Sequence, residues 1–184
     1  MPKIAEIEYT PNPNAVKFVL KEPVAVGFPK SFPDRVFAAT DELARQLFEV
    51  AHVTSVFMQD RFLTVTKDDQ IGWAELLPKL APPIRAAASV AGPGSEAAPR
   101  PALPGFDPDD PVVKRCWEVI KINILPALAA DGGGLEIVGR HEKQLLIRYM
   151  GACQTCPSGL TGTLMAIEGI LRREVDPDLV VVTV

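Results

Sequence analysis

Cys153 and Cys156 are the residues of this chain whose type and spacing could do chemistry. Two residues separate them, so a short turn can bring both sulfur atoms to the same side of a loop. A strand-like run precedes the pair and a helix-like run follows it, with Pro157 suited to the first position of that helix. Helix N–H groups facing the sulfur atoms would favour the thiolate form. The pair is therefore either a redox-active dithiol or half of a metal site.

A thioredoxin-like dithiol oxidoreductase is one alternative for this pair. Such an enzyme needs, after its cysteine motif, a long helix and then several further strands. Residues 157–184 are all that follow Cys156, and one helix with one strand uses them. This short remainder disfavours the redox enzyme. A second alternative, in which the two cysteines merely pack at a helix start, is disfavoured by the flanking Gly151 and Pro157.

A structural zinc site is commonly completed by a second cysteine pair or by two histidines. His52 and His141 lie far apart in the chain, so each is expected at the surface or partly packed. Cys116 shares a helical stripe with Val113 and Ile120, which is typical of a buried apolar position. We therefore expect no third ligand from the same chain.

The number of available thiolates favours a cluster shared between chains. One chain offers Cys153 and Cys156, whereas a 4Fe–4S cluster takes four cysteine ligands. Two chains related by a two-fold axis would supply the full set, with the same loop facing itself. This count predicts a homodimer with a subunit-bridging 4Fe–4S cluster. Such a cluster would be labile, as suits a protein that hands it on.

The composition indicates a globular protein that is long enough for two small domains. Of the 184 residues, 47% are hydrophobic and 23% are charged, so each half can bury a core. A net charge of −4 argues against a nucleic-acid partner. No apolar run reaches the roughly 18 residues that a membrane helix needs, so we expect no membrane partner either.

The first residues and the cysteine count indicate the compartment. The start of the chain, residues 1–6, has neither the apolar core of a secretory signal nor the arginine-rich character of a transit peptide. Three cysteines fit reduced thiols better than a disulfide framework. We therefore expect a cytoplasmic protein.

Residues 1–90 are predicted to form one α/β domain of the α+β type, with the order ββαββα. Residues 27–33 are expected to be irregular, and Thr40 is the expected N-cap of the first helix. The closing helix is expected to be disturbed by Pro78 and to stop at Pro82 and Pro83. The predicted strands are residues 3–9, 15–20, 53–58 and 61–66, paired as two hairpins.

Residues 91–110 are rich in proline and glycine and are predicted to be an extended linker. Residues 111–184 form the second predicted domain, with the order αββαβ. Its first helix starts after an N-cap at Asp110, and Pro126 is expected to kink or shorten its end. The glycines 132–134 are expected to terminate it, and a helix end explains them without any further role. The predicted strands are residues 135–138, 144–150 and 180–184, and the second helix follows the cysteine loop.

Both predicted domains resemble parts of Nfu-type iron–sulfur scaffold proteins. The run Gly151-Ala152-Cys153-Gln154-Thr155-Cys156-Pro157-Ser158 is similar to the NifU-like C-terminal domain of that family, together with Leu125-Pro126-Ala127-Leu128, Asp131-Gly132-Gly133 and Ile167-Glu168. The first unit resembles the Nfu N-terminal domain through Pro11-Asn12-Pro13-Asn14-Ala15-Val16-Lys17-Phe18, residues 43–49, residues 55–57 and residues 62–67.

This resemblance implies a carrier rather than an enzyme. It implies that Cys153 and Cys156 bind a 4Fe–4S cluster between two chains, received from a cluster donor scaffold and passed to apo iron–sulfur acceptor proteins. The chain departs from the family pattern behind the cysteines, where Gly159 and Gly162 stand in place of a second serine and a Thr-Leu-Lys run. Gly162 inside a helix costs about 1 kcal/mol relative to alanine, so the first turns of that helix are expected to be looser.

Overall fold

The computed structural model describes residues 3–26, 29–88, 107, 109–154 and 159–184, with the backbone alone at 159–161. These residues belong to two compact units of α+β class, one within Met1–Ala98 and one within Pro99–Val184. The linker predicted at residues 91–110 lies almost wholly outside the described residues, so its bounds stay a prediction. Among the described helices, none has the length and apolar character needed to span a bilayer.

The first unit is a five-stranded antiparallel sheet with helices packed on one face. Its strands follow the order β1-β2-β5-β4-β3 across the sheet. Alternate residues of β2 and β5 pair in register, as Val16 with Val65 and Phe18 with Leu63, and all four are fully buried. The elements are β1 (Ile4–Tyr9), β2 (Ala15–Leu20), β3 (Lys30–Phe32), α1 (Arg35–Ala38), α2 (Glu42–Glu49), β4 (Val53–Gln59), β5 (Phe62–Lys67) and α3 (Trp73–Ala86).

The prediction that residues 27–33 are irregular is wrong for Lys30–Phe32, which form the edge strand β3. Pro29 and Pro33 lie just outside this strand, so their missing N–H groups take no hydrogen bond away from its pairing. An edge strand tolerates proline at its ends. The short helix α1 follows directly, because the Asp34 carboxylate accepts hydrogen bonds from the Val36 and Phe37 amides at 2.7 and 3.2 Å.

The predicted end of the closing helix at Pro82 and Pro83 is also wrong, since α3 continues to Ala86. Leu76, Leu80 and Ile84 form a fully buried stripe along this helix. Packing of that stripe outweighs the hydrogen bonds that the prolines cannot donate.

The predicted N-cap at Thr40 is wrong by one residue. Asp41 caps α2, because its carboxylate accepts a hydrogen bond from the Ala44 amide at 3.1 Å. The same carboxylate pairs with Lys30 at 2.8 Å, which joins the helix start to the edge strand. The Thr40 hydroxyl instead donates to the Phe37 carbonyl at 3.3 Å.

The second unit has three helices and a three-stranded sheet among its described residues. β6 and β7 form an antiparallel hairpin, and β8 lies parallel to β7 at the edge. The elements are α4 (Pro111–Asn123), α5 (Leu125–Ala130), β6 (Gly133–His141), β7 (Gln144–Gly151), α6 (Gly159–Glu174) and β8 (Val180–Thr183). We call its buried apolar cluster the second-unit core: Val113, Cys116, Val119, Ile120, Ile124, Leu128, Leu135, Leu145, Ile147, Tyr149, Ile167, Leu171, Leu179 and Val181.

The predicted N-cap at Asp110 is confirmed, since its carboxylate accepts from the Val112 amide at 2.7 Å and pairs with Arg140 at 2.6 Å. The predicted disturbance at Pro126 is confirmed, since α4 ends at Asn123 and Pro126 occupies the first turn of a separate helix, α5. The predicted start of the following strand at Leu135 is wrong, since β6 already begins at Gly133.

Glu168 on α6 joins the last strand to the rest of the second unit. Its carboxylate accepts a hydrogen bond from the Val181 amide at 2.9 Å and pairs with Arg172 at 3.0 Å. Arg172 in turn donates to the Leu179 carbonyl at 2.7 Å. These contacts position β8 against α6, so Glu168 has a structural role that the sequence motif alone did not reveal.

Candidate metal centre

Cys153 lies in a tight turn between the hairpin and α6. β7 ends at Gly151, whose positive φ of 63° turns the chain sharply, and a short 3₁₀ turn, Ala152–Gln154, follows. The Ala152 amide donates a hydrogen bond to the Gly132 carbonyl at 3.2 Å. The turn that carries Cys153 is thereby attached to the chain segment that leads into β6.

Gly133 makes room for the Cys153 sulfur. It pairs directly with Gly151 across the hairpin. A β-carbon on Gly133 would collide with Cys153 Sγ and would lie 2.7 Å from the Met150 carbonyl oxygen and 3.0 Å from the Cys153 nitrogen. A glycine at position 133 therefore leaves the space that the Cys153 sulfur occupies over this end of the sheet.

The Cys153 side chain is half-buried and packs against the second-unit core. It is therefore backed by apolar side chains while part of it still reaches solvent. Cys156 lies outside the described residues, as does Pro157, so the ligand role of Cys156 and the helix start at Pro157 stay predictions. Within the described part of the chain, no three histidine, cysteine or acidic side chains converge as a metal site would require.

Tyr149 lies beside this turn and is 5% exposed. It belongs to the same core that Cys153 contacts. Burial raises the pKa of Tyr149 to about 12, and the negative charge of the Cys153 thiolate adds to this rise. Its buried hydroxyl has no hydrogen-bond partner among the residues that the structure describes.

Cys116 is confirmed as a core residue, since none of its surface is exposed. Burial raises the pKa of its thiol to about 11, so it is a neutral thiol at physiological pH. The expectation for the histidines also holds. His52 is half-buried and its Nδ1 lies 3.0 Å from the Asp68 carboxylate, while His141 is exposed at the end of β6.

Two domain families match the chain in sequence order. The family described as "Scaffold protein Nfu/NifU N terminal" matches residues 4–90, and the family described as "NifU-like domain" matches residues 117–182. The chain belongs to the Nfu family. The second match contains the hairpin, Gly133 and Cys153, so the site described above is part of the NifU-like domain of this Nfu chain.

Named relatives of this Nfu chain are iron–sulfur scaffold and NifU-like proteins. It is 31% identical over 164 residues to "NFU1 iron-sulfur cluster scaffold homolog, mitochondrial" of Homo sapiens. This matched region covers 89% of this chain and 65% of the human protein. It is 29% identical over 175 residues to "NifU-like protein 4, mitochondrial" of Arabidopsis thaliana, with coverage of 92% and 62%. The chain thus spans less than two thirds of the length of these relatives.

Sequence reasoning missed two residues of this Nfu site, Gly133 and Tyr149. The glycines at 132 and 133 were explained by a helix end alone, which holds for Gly132 with its φ of 76°. Gly133 belongs to a strand, and glycine in a strand often marks the close approach of another group. Tyr149 left no signal, since an aromatic residue in a strand is ordinarily a core residue.

Proposed function

We propose that this Nfu chain is a carrier, and not an enzyme, that binds a 4Fe–4S cluster and transfers it to apo-proteins. Cys153 and Cys156 would be its ligands. The observation that supports this most directly is the space that Gly133 leaves for the Cys153 sulfur. A half-buried sulfur in a shaped turn suits a metal ligand that must be both held in place and accessible.

The cluster is proposed to bridge two copies of the chain. Cys116 is not proposed as a ligand, because its side chain is fully buried in the second-unit core. Each chain then contributes Cys153 and Cys156, and a 4Fe–4S cluster needs the ligands of two chains. A two-fold axis through the cluster satisfies this requirement with one repeated loop.

Transfer is proposed to proceed by ligand exchange. A thiolate of the acceptor forms a bond to a cluster iron while the bond from that iron to Cys153 or Cys156 breaks, and no electron changes hands. The displaced thiolate can then take up a proton from water. An exposed cluster at a dimer surface allows the incoming thiolate to approach.

The first unit is proposed to assist in recognising acceptors or in stabilising the chain, and a separate scaffold is proposed as the cluster donor. The cytoplasmic location predicted from the sequence stays a prediction, because the named relatives are mitochondrial proteins by their names.

Anaerobic reconstitution with iron and sulfide tests the carrier function. We expect about four irons per two chains, from the ligand count of the cluster. Cys153→Ala and Cys156→Ala should each abolish iron binding and leave the fold intact, whereas Cys116→Ala should retain the cluster. One tightly bound zinc per chain would contradict the proposal. Reduction of insulin by the iron-free protein would instead favour the dithiol oxidoreductase.

A further inference from the structure

Tyr149 and Cys153 lie on the same face of the β6–β7 hairpin. Gly133 is paired with Gly151, and Leu135 is paired with Tyr149, two positions further along each strand. Residues two apart in a strand point to the same face. A β-carbon on Gly133 would point at Cys153 Sγ, so the sulfur lies over the face that also carries the Tyr149 ring. Diagonal neighbours in an antiparallel pair are within reach of an aromatic side chain.

The Tyr149 hydroxyl is an exception to the rule that buried polar groups are hydrogen-bonded. The side chain is 5% exposed, and the hydroxyl is fully buried without a partner among the described residues. An unsatisfied buried hydroxyl lowers stability relative to phenylalanine, which would fill the same space. The acceptor for this hydroxyl therefore comes from a bound group or from another state of the protein.

We propose that the Tyr149 hydroxyl is a positioning group that donates a hydrogen bond to the Cys153 sulfur when that sulfur is a cluster ligand, an inference that rests on the proposed function. A thiolate bound to iron carries negative charge, which makes it a better acceptor than a neutral thiol. The phenol supplies a single O–H donor, and a phenol with the ordinary pKa of about 10 is protonated at physiological pH.

This hydrogen bond has a definite effect on the cluster. Reduction adds negative charge to the cluster and its ligands, so a donor at the sulfur stabilises the reduced form more than the oxidised form. Hydrogen bonds to the sulfur atoms are one of the factors that set the reduction potential of iron–sulfur clusters. Tyr149 should therefore raise the potential of the cluster.

Tyr149→Phe removes the hydroxyl and keeps the ring, so it tests the proposal with little change in packing. The full chain and the variant are reconstituted anaerobically, and the midpoint potential of the cluster is measured by redox titration. We expect the variant to load the same amount of iron and to have a lower midpoint. The expected change is about tenfold in the ratio of reduced to oxidised cluster at a given potential, or about 59 mV for one electron.

Tyr9→Phe is the matched control, because Tyr9 is the other tyrosine of the chain and is 71% exposed in the first unit. This variant should have the potential of the unchanged protein. The iron-free Tyr149→Phe protein should be at least as stable to urea as the unchanged protein, since it loses an unpaired buried hydroxyl. That measurement separates a role toward the cluster from a role in the fold.

Four results would overturn the inference. An unchanged midpoint in Tyr149→Phe with normal loading would show that the hydroxyl does not reach the ligand sulfur, and the carrier function would still stand. An equal shift in Tyr9→Phe would show an unspecific effect. If the iron-free Tyr149→Phe protein is less stable than the unchanged protein, the hydroxyl has a hydrogen-bond partner within the fold and its role is structural. Failure of the unchanged chain to load iron would refute the proposed function and this inference with it.

Discussion

Gly133 lies so close to Cys153 that a β-carbon on the glycine would overlap the cysteine sulfur. The two residues are brought together by the pairing of Gly133 with Gly151, which ends β7 just before the turn. The sulfur is thus positioned from the far strand of the hairpin as well as by its own turn. The presence of glycine at position 133 is therefore a requirement of the site.

Gly133→Ala should displace the Cys153 turn. The added carbon would meet the Met150 carbonyl oxygen at 2.7 Å as well as the sulfur, and backbone atoms cannot move aside without distorting the hairpin. We expect the free energy of unfolding, measured with urea, to fall by about 1 to 3 kcal/mol, as is typical of overpacking. Iron retained after reconstitution should fall together with the stability.

Gly169→Ala is the control for this substitution, because no described atom lies within 4 Å of its added carbon. It should leave iron retention unchanged. If Gly133→Ala binds iron as the unchanged protein does, the close contact has no bearing on the site.

Gly162→Ala should stabilise the second unit. Gly162 is exposed within α6 and its added carbon would meet no described atom within 4 Å. Alanine is favoured over glycine by about 1 kcal/mol in a helix, so thermal unfolding should shift upward by about 4 to 8 °C for a domain of this size. Stiffer first turns behind the cysteines should also slow the loss of a bound cluster.

The same helix offers a comparison for the cluster effect. Gly169→Ala should give a similar rise in melting temperature, because it gains the same helix propensity. It lies further from the cysteines, so it should not change the rate of cluster loss. An equal effect of both variants on that rate would mean that overall stability, and not the loop, controls it.

Asp110→Asn should weaken the second unit and reduce its sensitivity to acid. Burial alone would raise the pKa of Asp110, but hydrogen bonds from the Val112 amide and the Arg140 guanidinium lower it below its usual value. The carboxylate therefore contributes stability above about pH 4, and this contribution is lost as the pH falls further. Asparagine keeps the N-cap oxygen and removes the charge that pairs with Arg140.

Urea unfolding at a series of pH values from 3 to 7 measures this effect, with Asp109→Asn as the matched control. Asp109 also forms an ion pair, with Lys114, but the Asp109 side chain is 83% exposed. Exposed pairs contribute little, so this variant should follow the unchanged protein. Identical pH profiles for all three proteins would show that the pair of Asp110 with Arg140 does not stabilise the fold.

Cys116 should be unreactive until the chain unfolds. Burial raises its pKa to about 11, so the native protein should resist iodoacetamide at this position at pH 8, whereas the urea-unfolded chain should react. The sign of the pH effect follows from the raised pKa. The neutral thiol contributes stability below about pH 9, and this contribution is lost as the pH rises through about 11.

Comparison with Cys116→Ala isolates that contribution, because alanine does not titrate. The difference in unfolding free energy between the two proteins should shrink between about pH 9 and pH 11. Rapid labelling of Cys116 in the native protein, identified by peptide mass, would contradict its place in the core.

Local patterns were sufficient for most elements and failed where two segments meet. Alternating apolar residues predicted the strand with Val16 and Phe18, and Asp110 with Pro111 predicted the start of α4. The strand Lys30–Phe32 was missed because it is stabilised by pairing with β4, an antiparallel partner that lies far along the chain. The helix α3 continues through Pro82 and Pro83 because Leu80 and Ile84 are buried. Local helix propensity does not predict that burial.

The sequence by itself determined the α+β class, the Nfu resemblance and the thiol pair, because these depend on residue types and on spacing along the chain. The tertiary structure alone decided which groups surround Cys153. Strand pairing brings Gly133 under the sulfur and places Tyr149 on the same face of the hairpin. The register between β6 and β7 is a relation between residues that are distant along the chain. Residue spacing along the chain does not predict this register directly, because the register is set only when the two strands pack on a shared core.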